Sequence, residues 1–135
     1  MSGPRPSASL RVYVIDDDQA VLQSTALLLD TFGFECTTFA CADDFLSEVD
    51  ALPPGCVLTD LRMPRTDGWV LCSALQSKAL EWPVLLMSSD NGAELERRAK
   101  ASGFSGFIRK PVDADKLAAA IGAAIAAGIE RSGKA

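Results

Sequence analysis

Apolar residues follow two rhythms along this chain: short, nearly continuous runs alternate with segments where they recur every three or four positions. Leu10 to Ile15 is a β-branched run that predicts a strand, ending in the acidic loop Asp16-Asp17-Asp18. Gln19 to Phe32 then places Val21, Leu22, Thr25, Leu28, Leu29 and Phe32 at helical spacing, with Gly33 as its stop. Phe34 to Phe39 alternates as a short strand, and Ala42 to Val49 predicts a short helix. Beyond the loop Leu52-Pro53-Pro54-Gly55, the run Cys56 to Thr59 has the character of a strand buried on both faces, ending at Asp60. Pro64 and Asp67-Gly68 break the chain, and Asp67 is placed to cap a helix over Gly68 to Lys78. Trp82 to Met87 reads as another buried strand, leading to Ser88-Ser89-Asp90. A polar helix follows from Asn91 or Gly92 to about Ser102, and a strand over Gly103 to Ile108 ends at Arg109-Lys110-Pro111. Last comes an Ala-rich helix over Asp113 to Gly128, with Leu117, Ile121 and Ile125 every four residues.

Strand followed by helix, five times over, predicts an α/β domain with one parallel sheet and helices on both faces. Its expected extent is 10–128, with a flexible N-terminal arm at 1–9 and a frayed tail at 129–135. The 135-residue length suits a single domain, and 48% apolar content argues against disorder. No apolar run approaches the roughly 20 residues of a membrane span, and the first nine residues lack the apolar segment of a signal peptide. A net charge of −5 disfavours direct binding of nucleic acid, whose phosphates call for a basic surface. Cys36, Cys41, Cys56 and Cys72 show no CxxC spacing; they read as thiols of a reducing cytoplasm, not a zinc site or disulfide framework. There is no histidine, which removes the commonest general base and any phosphohistidine of the chain's own.

In open parallel sheets, chemistry collects outside the carboxyl ends of the strands. Four of the expected strand ends deliver polar groups there: Asp16 and Asp17 from the first, Asp60 from the third, Ser88 from the fourth and Lys110 from the fifth. Each alone reads as an ordinary solvated loop residue. Together they are chemically complementary. Like charges at 4 Å and an effective dielectric near 20 repel by about 4 kcal/mol per pair, so three carboxylates call for a cation. All-oxygen ligands with room for water suit Mg²⁺. An ionised Asp, a divalent metal and a lysine form a site suited to phosphoryl transfer, and the Ser88 hydroxyl can hydrogen-bond a phosphoryl oxygen.

The set Asp16-Asp17, Asp60 with Met63-Pro64-Arg65-Thr66-Asp67-Gly68, Ser88 and Lys110-Pro111 resembles the receiver domain of two-component response regulators. The likeness runs from Leu10 to Gly128 and is strongest to FixJ-type receivers, through Val14-Ile15-Asp16-Asp17-Asp18, Phe39, Phe45-Leu46 and Leu61-Arg62-Met63-Pro64. It implies a flavodoxin-like (βα)5 fold with strand order 2-1-3-4-5. It implies Asp60 as phosphoacceptor, with Mg²⁺ held by Asp16, Asp17, Asp60 and the backbone carbonyl of Arg62. Ser88 would be the switch hydroxyl, Phe107 the switch aromatic and Lys110 the phosphoryl-pairing lysine. The implied partner is a sensor histidine kinase or histidine phosphotransfer protein. The surface of the fourth helix, fifth strand and fifth helix would serve a homodimer or a target protein. Such a chain is not an enzyme in the ordinary sense, although it catalyses its own phosphotransfer and autodephosphorylation. Ser88 stands where Thr is commoner, and Phe107 lacks the hydroxyl of the frequent Tyr.

Two further expectations concern this chain in particular. Arg62, two residues after Asp60, and Asp90, two after Ser88, are placed to flank the pocket mouth, where a pair would restrict the attacking water. Leu27 is expected to face outward on the first helix. An aspartyl-phosphate phosphatase or phosphotransferase is the main rival, but it wants a second acid where Arg62 stands. Neither GxGxxG nor GxxxxGK(S/T) occurs, which disfavours nucleotide binding. A receiver reduced to a docking module would lack an acceptor, acid or lysine, and all are present. With no effector domain after Gly128, the expectation is a stand-alone receiver or, alternatively, a receiver fragment of a larger transcriptional regulator.

Overall fold

A computed structural model describes residues 11–89 and 92–133. Its elements are β1 (Arg11–Ile15), α1 (Gln19–Thr31), β2 (Glu35–Phe39), α2 (Ala42–Glu48), β3 (Cys56–Asp60), α3 (Gly68–Ser77), β4 (Val84–Ser88), α4 (Ala93–Ala101), β5 (Gly106–Arg109) and α5 (Ala114–Gly133), with one 3-10 turn at Val49–Ala51. All strand pairings are parallel, and the sheet order is β2-β1-β3-β4-β5. The doubly wound fold expected from the sequence is therefore the one observed.

The apolar strand runs explain the two cores, because successive strand residues point to opposite faces. Tyr13, Ile15, Val57 and Leu86 face one side and pack with Phe39, Phe45, Leu71, Leu75 and Phe104. Val12, Val14, Leu58, Leu85 and Met87 face the other and pack with Leu22 and Leu29 of α1 and Leu117 and Ile121 of α5. Helices α2, α3 and α4 thus cover one face, and α1 and α5 the other. Leu27 on α1 is 70% exposed, facing outward as expected.

Local signals set most boundaries. Asp18 caps α1 by accepting from the Ala20 and Val21 amides at 2.9 and 3.3 Å. Asp67 caps α3 by accepting from the Val70 amide at 3.0 Å, as its position suggested. Gly33, at φ +86°, ends α1. Three boundaries differ from the sequence expectation by more than one residue. β4 begins at Val84, not Trp82: the Pro83 carbonyl accepts from the Val57 amide, and the Trp82 ring stacks on Tyr13 at 5.7 Å. β5 begins at Gly106, because Gly103 at φ +106° belongs to the turn that closes α4. α5 continues past Gly128 to Gly133, through the stretch read as a frayed tail. One helical glycine costs only about 1 kcal/mol, and no proline stops the helix there. The arm at 1–9 lies outside the described residues.

Candidate functional site

The strand order reverses between β1 and β3, so the connections leaving their carboxyl ends run in opposite directions and open a crevice there. Asp16 and Asp17 follow β1, and Asp60 is the last residue of β3. One carboxylate oxygen from each of Asp16, Asp17 and Asp60 lies within 4.8 Å of the others. The three acids named from the sequence do converge.

Their environments differ. Asp16 is fully buried, Asp17 exposed and Asp60 in between. Burial raises the Asp16 carboxyl above its ordinary value, although its Oδ1 accepts the Asp18 amide at 2.9 Å and Lys110 opposes the shift. The Lys110 ammonium sits between two of the acids, 3.0 Å from Asp16 Oδ2 and 2.9 Å from Asp60 Oδ1. Burial works against its charge, but the carboxylates of Asp60 and Asp16 outweigh it and hold its pKa above the usual lysine value. One cation thus offsets part of the repulsion among three anions. The acids retain oxygens for a divalent ion, so the donor set fits a hard, oxygen-preferring metal.

Ser88 ends β4 and is buried, and its carbonyl accepts from the Lys110 amide at 2.9 Å. That bond ties the fifth strand end to the fourth. Phe107, three residues before Lys110, is half-buried and packs at the margin of the α2–α3–α4 core. Arg62 is exposed two residues past Asp60. Asp90, its expected partner, lies outside the described residues.

Two supports of Asp60 carried no signal in the sequence. Buried Thr59 donates its hydroxyl to the Asp60 carbonyl at 2.9 Å. Gly68, legible as a helix start, also lets α3 press against β3: a Cβ there would stand 2.8 Å from the Asp60 carbonyl oxygen. The Gly68 amide bonds the Leu61 carbonyl at 2.8 Å, closing the intervening loop. All four cysteines are free thiols. Burial pushes Cys56 up to about 12 and Cys36 up to about 11. Among the described residues, no helix is long and apolar enough to cross a membrane.

The chain is similar in sequence and fold to known proteins. The transcriptional regulatory protein FixJ of Bradyrhizobium diazoefficiens is 39% identical over 114 residues, covering 84% of this chain and 56% of that protein. The transcriptional regulatory protein TdiR of Thauera aromatica is 30% identical over 99% of this chain and 59% of its own length. The chain thus spans a little over half the length of these relatives. The crystal structure of full-length FixJ from B. japonicum superposes with a TM-score of 0.82 at 37% identity, covering 87% of this chain and 58% of that one. A structure of FixJ-N gives 0.79 at 28% identity, covering 85% and 92%. The family model of the response regulator receiver domain matches residues 12–122, from the first strand into the last helix. This chain belongs to the response regulator receiver domain family of two-component signalling.

Proposed function

We propose that Asp60 accepts a phosphoryl group from a phosphohistidine on a sensor histidine kinase or histidine phosphotransfer protein. The observation that carries this reading is the Lys110 ammonium, bridging Asp16 and Asp60 within a cluster of three carboxylates. An Asp60 carboxylate oxygen attacks phosphorus, the phosphorus–nitrogen bond breaks, and its electron pair returns to the donor imidazole. Lys110 pairs with the developing negative charge. Asp16, Asp17, Asp60 and the Arg62 carbonyl would hold Mg²⁺, which supplies charge neutralisation to the transferring group.

The aspartyl phosphate carries roughly two negative charges at the end of β3. Its oxygens draw the Ser88 hydroxyl inward, and half-buried Phe107 turns into the space released. The change reaches the surface formed by α4, β5 and α5, where a second copy or a target protein binds. Several kcal/mol of differential stabilisation are required, and a few charge-assisted hydrogen bonds can supply them. Arg62, exposed two residues past Asp60, restricts the attacking water and lengthens the phosphoryl lifetime; an unchanged dephosphorylation rate in Arg62→Ala excludes that role. The site operates in the cytoplasm, where kinases present phosphohistidine.

A second reading concerns output. The relatives are transcriptional regulatory proteins roughly one and a half times this length, which favours a receiver that governs a transcriptional output over one acting alone. Incubation with acetyl phosphate and Mg²⁺, followed by intact-mass measurement, tests the chemistry. Wild type gains one phosphoryl group, while Asp60→Asn and wild type in chelator do not. Equal labelling of Asp60→Asn refutes the assignment.

A further inference from the structure

The loop after Asp60 is held from outside the site by a contact that the mechanism above does not use. Arg65 has φ +67°, a left-handed conformation that is uncommon for a residue with a Cβ. Such a conformation persists where the surroundings over-determine it. The surroundings here are the first turn of α2. Asp43 uses both carboxylate oxygens on the loop: Oδ1 accepts the Thr66 hydroxyl at 2.5 Å, and Oδ2 pairs with Arg65 Nε at 3.4 Å. Arg65 Nη2 also reaches the Sγ of Cys41, the residue preceding α2, at 3.5 Å.

This bridge spans more than twenty residues of sequence and closes on consecutive loop positions. The Gly68–Leu61 hydrogen bond pins the loop at its base; Asp43 pins it at its outer turn. Between those anchors lies Arg62, whose carbonyl is the proposed metal ligand. An exposed ion pair contributes little to global stability, at most about 1 kcal/mol. Its leverage on a short loop is larger, because a ligand held in place need not be ordered when the ion arrives. We infer that Asp43 is a positioning residue for the phosphoacceptor loop, one that sets the affinity of the site for divalent cation by fixing residues 61–67.

This inference rests on the receiver reading, and the two fail in different ways. The test follows ¹⁵N-labelled protein through a Mg²⁺ titration by NMR, comparing wild type, Asp43→Ala, Asp44→Ala and Thr66→Val. Asp44 is the neighbouring exposed acid on the same turn, so its removal controls for charge. Asp43→Ala is expected to weaken Mg²⁺ about tenfold, the lower end of what supporting groups contribute to metal sites. Thr66→Val should weaken it by more than about threefold but less than Asp43→Ala does, and Asp44→Ala should match wild type. Hydrogen exchange at the Gly68 amide should quicken in Asp43→Ala. An Asp43→Ala affinity within about threefold of wild type, or an equal loss in Asp44→Ala, overturns the inference. Should Asp43→Ala not fold, Thr66→Val decides by the same criterion. Absence of Mg²⁺ binding in wild type would instead refute the metal site itself.

Discussion

Glycine-to-alanine substitutions at two helical positions should move stability in opposite directions, and the structure sets both signs. In a helix interior, alanine is ordinarily better than glycine by roughly 0.5–1 kcal/mol, because glycine loses more backbone freedom on folding. At Gly122 of α5, an added Cβ meets nothing within 4 Å. Gly122→Ala should therefore stabilise by about that amount. At Gly68, the same Cβ stands 2.8 Å from the Asp60 carbonyl oxygen and 3.1 Å from the Leu61 Cα. Both neighbours are backbone, so neither can rotate away. Reaching ordinary contact requires α3 and the end of β3 to part by about half an ångström, and such overpacking costs about 1–3 kcal/mol. Gly68 is the first residue of α3, where the interior gain for alanine is largely absent, so Gly68→Ala should be destabilised by about 1–2 kcal/mol. The variants should differ by roughly 2 kcal/mol, or about 8 °C in melting temperature for a chain of this size. Urea unfolding followed by far-UV circular dichroism measures the first difference, and a thermal scan measures the second. If Asp60 is the acceptor proposed above, acetyl phosphate labelling should slow only in Gly68→Ala, whose clash falls on the Asp60 carbonyl. A Gly68→Ala protein as stable as wild type would show that the α3–β3 contact yields without cost, and the reasoning would be wrong.

Lys110→Met removes the cation between two carboxylates; at pH 7 and in chelator it should cost about 1–3 kcal/mol, discounted from the value for a fully buried pair because Lys110 is partly exposed. Urea denaturation checks this, and saturating Mg²⁺ should restore part of the loss. Tyr13→Phe keeps the ring stack on Trp82 but deletes the 2.6 Å bond from the hydroxyl to the Pro53 carbonyl. A loss of about 1 kcal/mol is expected on unfolding in urea, and no loss would mean that water replaces the bond freely. Cys56, pushed up to about 12 by burial, keeps its proton when folded and loses it near pH 9 when unfolded. Its contribution is complete below pH 9 and is lost as pH rises toward 12. Between pH 8 and 10, wild type should lose about 1.4 kcal/mol more than Cys56→Ala. Parallel pH profiles for the two proteins would refute it.

The strand ends were legible because each apolar run stops at a polar group: Asp16, Asp60, Ser88 and Lys110 mark the carboxyl ends of β1, β3, β4 and β5. Parallel topology then brings those ends to one edge, so the site followed from local pattern plus a general rule of chain winding. Asp67 as a helix cap was legible for the same reason, since its partner lies only three residues away. Contacts between distant segments left no such trace. Trp82 was read into β4 by its apolar character, yet its stack on Tyr13 joins segments far apart in the chain. The charge state of Asp16 depends on its burial and on a lysine 94 residues away. The close approach of Gly68 to Asp60 exists only once α3 packs against β3, and the reach of Asp43 to Arg65 and Thr66 only once α2 lies beside the loop between them. Periodicity and turn chemistry are written within a few residues, so the elements and their polar ends can be read before any packing is known. Distances, burial and electrostatic balance arise between segments remote in the chain, and they come into being with the packing.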